Sequence, residues 1–324
     1  GRMFPVTDDS ATIVDCMQRA AEKAGVRLVT SLGVRKVEAL EGGCPHPPTQ
    51  RGEGTAPPRK SPGFWLTLTD GSEVRCERLI VATGGNRASA GFTIAAALGH
   101  TIEPLVPSLF TFHIDDVRLI GLSVENAAVS VPGTKLREDG PLLITHWGLS
   151  GPAVLKLSAW GARAMATRNY EFSLLVNWVP PHNRDSLVRD LAGVREKNPR
   201  KQITTWSPVP MPQRLWERWV TAAGIPATAP WTAVGNAALG ALATQLTAAE
   251  FKVVGKSLFK DEFVTCGGVR LGEVDFRTME SRICPGLHFA GEVLDIDGVT
   301  GGFNFQSAWT TGWLAGQAAA GAAE

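Results

Sequence analysis

Apolar and polar positions follow three rhythms along the chain, and each predicts a different kind of element. In residues 8–26, Ile13, Met17, Ala20, Ala21 and Ala24 recur at helical spacing. Ser10 stands where an N-cap belongs and Gly25 where a helix ends. Residues 26–40 follow as strand. Residues 64–85, FWLTLTDGSEVRCERLIVATGG, read as a hairpin around Asp70-Gly71 and then a continuously apolar strand, RLIVA. An unbroken apolar run of that length suits a strand buried in a parallel sheet. Residues 90–100 form a short helix. Residues 104–178 are rich in β-formers and turns, with one helical run at 151–160. Residues 181–250 are mostly helical, with Pro-rich breaks at 208–212 and 226–230. Strand returns at 262–271 and 286–293, and 303–322 closes as helix.

The order is therefore α/β, then β, then α, then α/β. It predicts an outer α/β domain in two separated segments, 1–103 and 256–324, interrupted by an inserted domain at 104–255. The insertion divides into a β-rich part, 104–180, and a mostly helical part, 181–255. Residues 41–63, rich in Pro and Gly, offer little to bury and are expected to be a mobile loop.

Composition narrows the function classes. With 44% hydrophobic and 19% charged residues in 324, the chain has enough apolar material for a large core. A net charge of +1 gives no global attraction to nucleic acid or anionic lipid. No apolar run is long enough to span a bilayer. Five scattered cysteines without a C-x-x-C pair read as reduced thiols, which points to the cytoplasm. The six histidines are scattered too, and no metal-ligand cluster appears.

Candidate chemistry concentrates in two glycine turns. LIVATGG (79–85) is a buried strand ending in Thr-Gly-Gly, and ligands of open parallel sheets sit at the carboxyl ends of strands. It is equally a plain strand-to-loop turn. The stretch 286–306 carries more. There a strand ends in Gly291 and Glu292, Gly298, Gly301 and Gly302 follow, and a helix begins. Glu292 suits the hydroxyls of a sugar or polyol. The free N–H groups and positive end of a helix favour an anionic or electron-rich oxygen.

The segments GRMFP (1–5), ATGG (82–85), ALGHTIEPLVPSLF (97–110), THWGLSGPAVLKLS (145–158), TCGGV (265–269), TMES (278–281) and GLHFAGEVLDIDGVTGGFNFQSAW (286–309) resemble the YhiN/BaiN-type FAD-dependent oxidoreductases. The resemblance implies a discontinuous FAD-binding domain of the two-dinucleotide-binding type with a β-barrel-like and helical insertion. It implies that Ala82, Thr83, Gly84 and Gly85 line FAD together with Gly291, Glu292, Asp297 and Gly298. Gly301, Gly302, Phe303 and Asn304 match the helix start beneath the flavin ring, and Val37 matches the strand position whose backbone meets the adenine. It further implies an NAD(P)H-driven reduction of a ring C=C bond, in uracil of ribosomal RNA or in a steroid-like substrate.

The sequence departs from this pattern at its start. The family opens with a strand, a G-x-G-x-x-G turn and a helix, an element of about 30 residues. Here the only G-x-G, Gly52–Gly54, lies in the 41–63 loop with Pro57 in the third glycine's place. The expectation is a C-terminal fragment of a longer flavoprotein that binds FAD weakly by itself.

Two residues are candidates for proton transfer. His146, in THWGLSGP, could hold a proton or order a tight turn. Cys266, in TCGGV, could protonate a carbon or pack as a small apolar residue. A different function class rests on 184–218, where eight basic residues stand against four acidic ones and Trp206, Trp216 and Trp219 are interleaved. Such a surface would suit a non-catalytic RNA- or partner-binding module. It is also what a solvated helical face over core tryptophans looks like.

Overall fold

A computed structural model describes residues 5–40, 63–115, 120–256 and 264–321. Residues 1–4 of the opening motif and 41–62 of the loop expected to be mobile lie outside them. The chain divides into two units. The first is drawn from 1–104, 267–296 and 301–324, and the second from 105–266 and 297–300.

In the first unit the order is α1 (Ala11–Lys23), β1 (Val34–Ala39), β2 (Phe64–Leu68), β3 (Glu73–Cys76), β4 (Leu79–Val81) and α2 (Ala90–Ala97). Strand β5 (Ile102–Ser108) leads into the second unit. There follow β6 (Phe112–Ile114), β7 (Ser123–Ser130), β8 (Arg137–Ile144), β9 (Gly148–Ser150), α3 (Pro152–Trp160), α4 (Ala162–Ala166) and β10 (Glu171–Asn177). Then come α5 (Arg184–Lys197), α6 (Gln213–Ala222), α7 (Asn236–Thr247) and β11 (Ala249–Lys256). Strand β12 (Val264–Val269) returns to the first unit, which ends with β13 (Val274–Asp275), β14 (Glu280–Ser281), β15 (Leu287–Phe289) and α8 (Phe303–Ala319).

Among the described residues, two sheets lie wholly within the first unit, and β5 pairs with β12 in a separate two-stranded sheet. Strands β1, β2 and β3 form an antiparallel meander, closed by the expected turn with Gly71 at φ 84°. The second sheet has the order β13-β14-β15-β4. Its β15 and β4 are parallel, with Phe289 opposite Val81. This parallel pair positions the site, because the loops after both strands leave from the same end. Helix α8 contacts both strands and buries Thr311, Ala315 and Ala318. The Arg78 guanidinium donates to the Ala318 and Ala319 carbonyls, where a cation complements the helix C-terminus.

The second unit is built on a closed six-stranded barrel, β10-β11-β6-β9-β8-β7. Alternation along β10 sends Phe172, Leu174 and Val176 inward. They join Phe112, Leu142 and Leu149 in one core that continues into the helices through Trp216, Trp231, Leu239 and Leu242. Closure leaves a barrel no edges to protect. The chain is thus mixed α/β; five barrel strands fall in 104–180, expected to be β-rich, whereas β11 comes from the end of the stretch expected to be mostly helical.

Four findings differ from the sequence reading or decide between its alternatives. Strand in 26–40 is confined to Val34–Ala39. Helix α1 forms as expected but buries no residue, and Val14 and Met17 are each 62% exposed. Its amphipathic spacing therefore has no partner among the described residues. Trp216 and Trp219 are buried in the core, which removes two of the three rings an RNA-stacking surface would use. Cys284 is buried and disulfide-bonded, so the reading of uniformly reduced thiols fails for it, whereas Cys16, Cys76 and Cys266 are free.

Candidate functional site

Two glycine turns that are more than 200 residues apart in sequence meet in the first unit. The β4 register carries the chain straight into Ala82–Gly85, and the β15 register carries it into Ala290–Glu292. Ala290 N–H donates to the Val81 carbonyl at 3.1 Å, extending the parallel pairing by one residue. A Cβ on Gly85 would lie 3.0 Å from the Glu292 carbonyl oxygen, tighter than ordinary van der Waals contact, so the two turns approach closely at this glycine.

Gly291 begins a 3-10 turn, Gly291–Val293, that is tied to α8: its N–H donates to Thr311 Oγ1 at 2.9 Å. Thr311 Oγ1 in turn donates to the Ser307 carbonyl at 2.7 Å. Helix α8 itself starts from Gly302 at φ 90°, preceded by Gly301 at φ 121°, and no side chain caps it. A left-handed entry of this kind suits glycine, and a helix start without a side-chain cap is where an anionic or electron-rich oxygen is favoured. Glu292 is half-buried, and burial pushes its carboxyl above the ordinary carboxylate range. A carboxyl strained in this way is stabilised by hydroxyl donors.

Of the sequence candidates, Ala82, Thr83, Gly84, Gly85, Gly291 and Glu292 gather at the ends of this parallel pair, and Gly301, Gly302, Phe303 and Asn304 open the helix packed on it. Val37 belongs to the same unit but to the antiparallel meander, buried opposite Leu66. Asp297 and Gly298 belong to the second unit, as do Cys266 and His146. His146 is exposed in the β8–β9 turn, with its ring 4.6 Å from that of Trp147. Cys266 and Asp297 line a cavity of about 220 Å³ with Ala159, Trp160, Ala162, Arg163 and Val299.

The structure also contains a Ser–His–acid arrangement that sequence order did not reveal. His100 Nε2 lies 2.8 Å from Ser281 Oγ, and Nδ1 lies 3.2 Å from Glu273 Oε2. This is the connectivity of a nucleophilic triad. Here, however, Ser281 Oγ accepts from the N–H groups of Ile283 and Cys284, at 3.0 and 2.7 Å. With both lone pairs occupied and only 7% of the residue exposed, Ser281 anchors a turn and cannot attack a substrate. Among the described residues no group of three His, Cys, Asp or Glu could hold a metal, and no helix is long and apolar enough to cross a membrane.

The features present fit one end of a dinucleotide. Closely approaching glycine turns, an uncapped helix start and a half-buried carboxyl are what a sugar-phosphate and an electron-rich ring edge require. Several known proteins have similar sequences. Over 269 residues the chain is 34% identical to the ribosomal RNA dihydrouridine synthase of Escherichia coli (strain K12), covering 79% of this chain and 63% of that protein. It is 28% identical to the 3-dehydro-bile acid delta(4,6)-reductase of Clostridium scindens, over 99% of this chain and 76% of the relative. It is also 28% identical to the ribosomal RNA dihydrouridine synthase of Haemophilus influenzae, over 97% and 73%. The model of the HI0933-like protein Rossmann domain matches residues 1–318, and the chain belongs to that family.

Proposed function

We propose that the chain provides the flavin-facing part of an FAD-dependent reductase that saturates a ring C=C bond with electrons from NAD(P)H. The observation that carries this reading is the meeting of Gly85 with Glu292 at the ends of a parallel strand pair, beside the uncapped start of α8. The names of the relatives support the reaction class, since a dihydrouridine synthase and a delta(4,6)-reductase both saturate ring double bonds.

In this reading Ala82–Gly85 and Gly291 let the dinucleotide lie against backbone. Glu292 accepts from its hydroxyls, and the N–H groups at Gly302 and Phe303 face its electron-rich edge, with Asn304 beside them. Asp297 and Gly298 complete the loop, and Val37 offers backbone to the adenine. Bound flavin, recharged by NAD(P)H, supplies the hydride. Saturation also needs a proton, and the Cys266 thiol is the nearer candidate, because it lines a cavity that could admit a ring whereas His146 does not. A cytoplasmic location belongs to the same reading, although the Cys284 disulfide is unusual there.

The test is titration of the protein with FAD, followed by addition of NADH or NADPH under anaerobic conditions. Saturable quenching of flavin fluorescence is expected, weakened at least about tenfold by Gly85→Val, and then bleaching by one of the nicotinamides. Flavin binding indifferent to Gly85 and Glu292 would overturn the assigned site. Bound flavin that neither nicotinamide bleaches would overturn the reductase.

A further inference from the structure

Glu292 and the start of α8 lie on different segments, and the backbone between them leaves the first unit. Glu292 stands in the Gly291–Val293 turn, and α8 begins at Phe303. Residues 297–300, between the two, belong to the second unit. Covalent connection alone therefore does not fix the carboxyl relative to the helix. Close packing constrains the turn from two sides. Gly85 lies against Glu292, and a Cβ on Gly268 would lie 2.6 Å from the Val293 carbonyl oxygen. Contacts of this kind set a distance of approach, whereas a hydrogen bond also sets an orientation.

Thr311, in the middle of α8, supplies such a bond within the first unit. The residue is buried, and its Oγ1 accepts from the Gly291 N–H at 2.9 Å while donating to the Ser307 carbonyl at 2.7 Å. A hydroxyl has one proton, and with that proton on a helix carbonyl Oγ1 faces Gly291 as an acceptor. A Cβ on Gly291 would lie 3.7 Å from Ala308 Cβ, so the turn rests directly on the helix at this point.

We propose that Thr311 is a positioning residue of the dinucleotide site: its hydroxyl holds the Gly291–Val293 turn in one orientation on α8, so that a single ligand meets the Glu292 carboxyl and the helix start together. The inference rests on the dinucleotide reading of that site. Thr311 acts through Gly291 rather than on the ligand. Without the hydroxyl the turn keeps its packing but loses its orientation. The Gly291 N–H must then find another acceptor, and Glu292, the next residue, turns with it. A ligand has to restore the lost orientation as it binds, and its affinity falls accordingly.

Two measurements on the whole chain test this in the parent, Thr311→Val and Thr311→Ser. Valine keeps the branched shape without the hydroxyl, and serine keeps the hydroxyl without the methyl. The first measurement is amide hydrogen exchange without flavin. The Gly291 amide should be protected in the parent. In Thr311→Val it should exchange at least about tenfold faster, while the Ala290 amide, bonded to the Val81 carbonyl, keeps its rate. The second is titration with FAD, followed by fluorescence quenching. Thr311→Val should bind at least about tenfold more weakly than the parent, and Thr311→Ser within about threefold of it. A general loss of stability would instead speed Gly291 and Ala290 alike, and that result would overturn the proposal. So would an unprotected Gly291 in the parent, which requires no variant to fold. Equal FAD affinity of the valine variant and the parent, or a serine variant as weak as the valine one, would overturn it too. A parent that binds no FAD would overturn the site reading itself, and titration of the parent alone identifies that outcome.

Discussion

Gly85 packs against Glu292 at the ends of two parallel strands, where an added Cβ would lie 3.0 Å from the Glu292 carbonyl oxygen, 3.2 Å from its Cβ and 3.5 Å from Oε2. The nearest of these atoms is backbone, which cannot rotate away. Gly85→Ala should cost about 1 kcal/mol and Gly85→Val about 2–3 kcal/mol by overpacking. Urea midpoints of the two variants check the order. Equal stability of all three proteins would mean that the turns do not meet as described.

Glu292 sets a pH dependence of definite sign. Burial raises its carboxyl above the ordinary value of 4.5, so the folded chain holds this proton more tightly than the unfolded chain does. Its contribution is most favourable at low pH and is lost as pH rises from the ordinary value through the raised one. Glu292→Gln should remove that loss. The variant should melt about 1–2 °C higher than the parent at pH 7, with the advantage vanishing near pH 4. Parallel melting curves across that range would exclude the burial described.

His100 has the opposite sign. Burial holds its imidazole below the ordinary value of 6.5, against the pull of Glu273. Ser281 occupies Nε2 as a hydroxyl donor, so Nδ1 carries the proton shared with Glu273. Below pH 6.5 the unfolded chain takes up a proton that folded His100 resists, and stability falls. Partial burial pushes Glu273 upward, but hydrogen bonds from Thr101, together with His100, bring it below its ordinary 4.5, which extends the loss at lower pH. Ser281→Ala should cost about 2–4 kcal/mol, because it leaves two N–H groups and the imidazole unpaired. Unfolding at pH 5 and 7.5 measures both effects. A fluorophosphonate probe should leave Ser281 unlabelled, and labelling would show that its oxygen is available after all.

Trp216 separates the two meanings of the basic segment at 184–218. It is fully buried, and its indole N–H donates to the Ile203 carbonyl at 2.8 Å. Trp216→Ala should cost about 3–5 kcal/mol as a cavity-forming change. Trp216→Phe should be milder, and any RNA affinity of the folded Phe variant should match that of the parent. A selective loss of RNA binding in the Phe variant would revive the stacking surface.

The sequence by itself determined the elements wherever periodicity was strong and local. The hairpin around Gly71, helices α2 and α3 and the run into α8 follow from spacing, turn residues and apolar continuity within a few residues. It also marked both glycine turns, because a strand ending in small residues before a helix is a local signal. Long-range packing settled the rest. The meeting of Gly85 with Glu292 depends on a parallel register between strands about 200 residues apart, and no local pattern encodes a register. His100, Glu273 and Ser281 lie in separate stretches of the chain, up to 181 residues apart, so nothing local in the sequence signals that they meet. Trp216 and Trp219 read equally well as surface or core until α6 was placed on the other helices and the barrel, since burial belongs to the assembled fold and not to the residue. Cys266 and Asp297 border one cavity for the same reason: apolar and polar groups distant in sequence share a space only once the strands that carry them have found their partners.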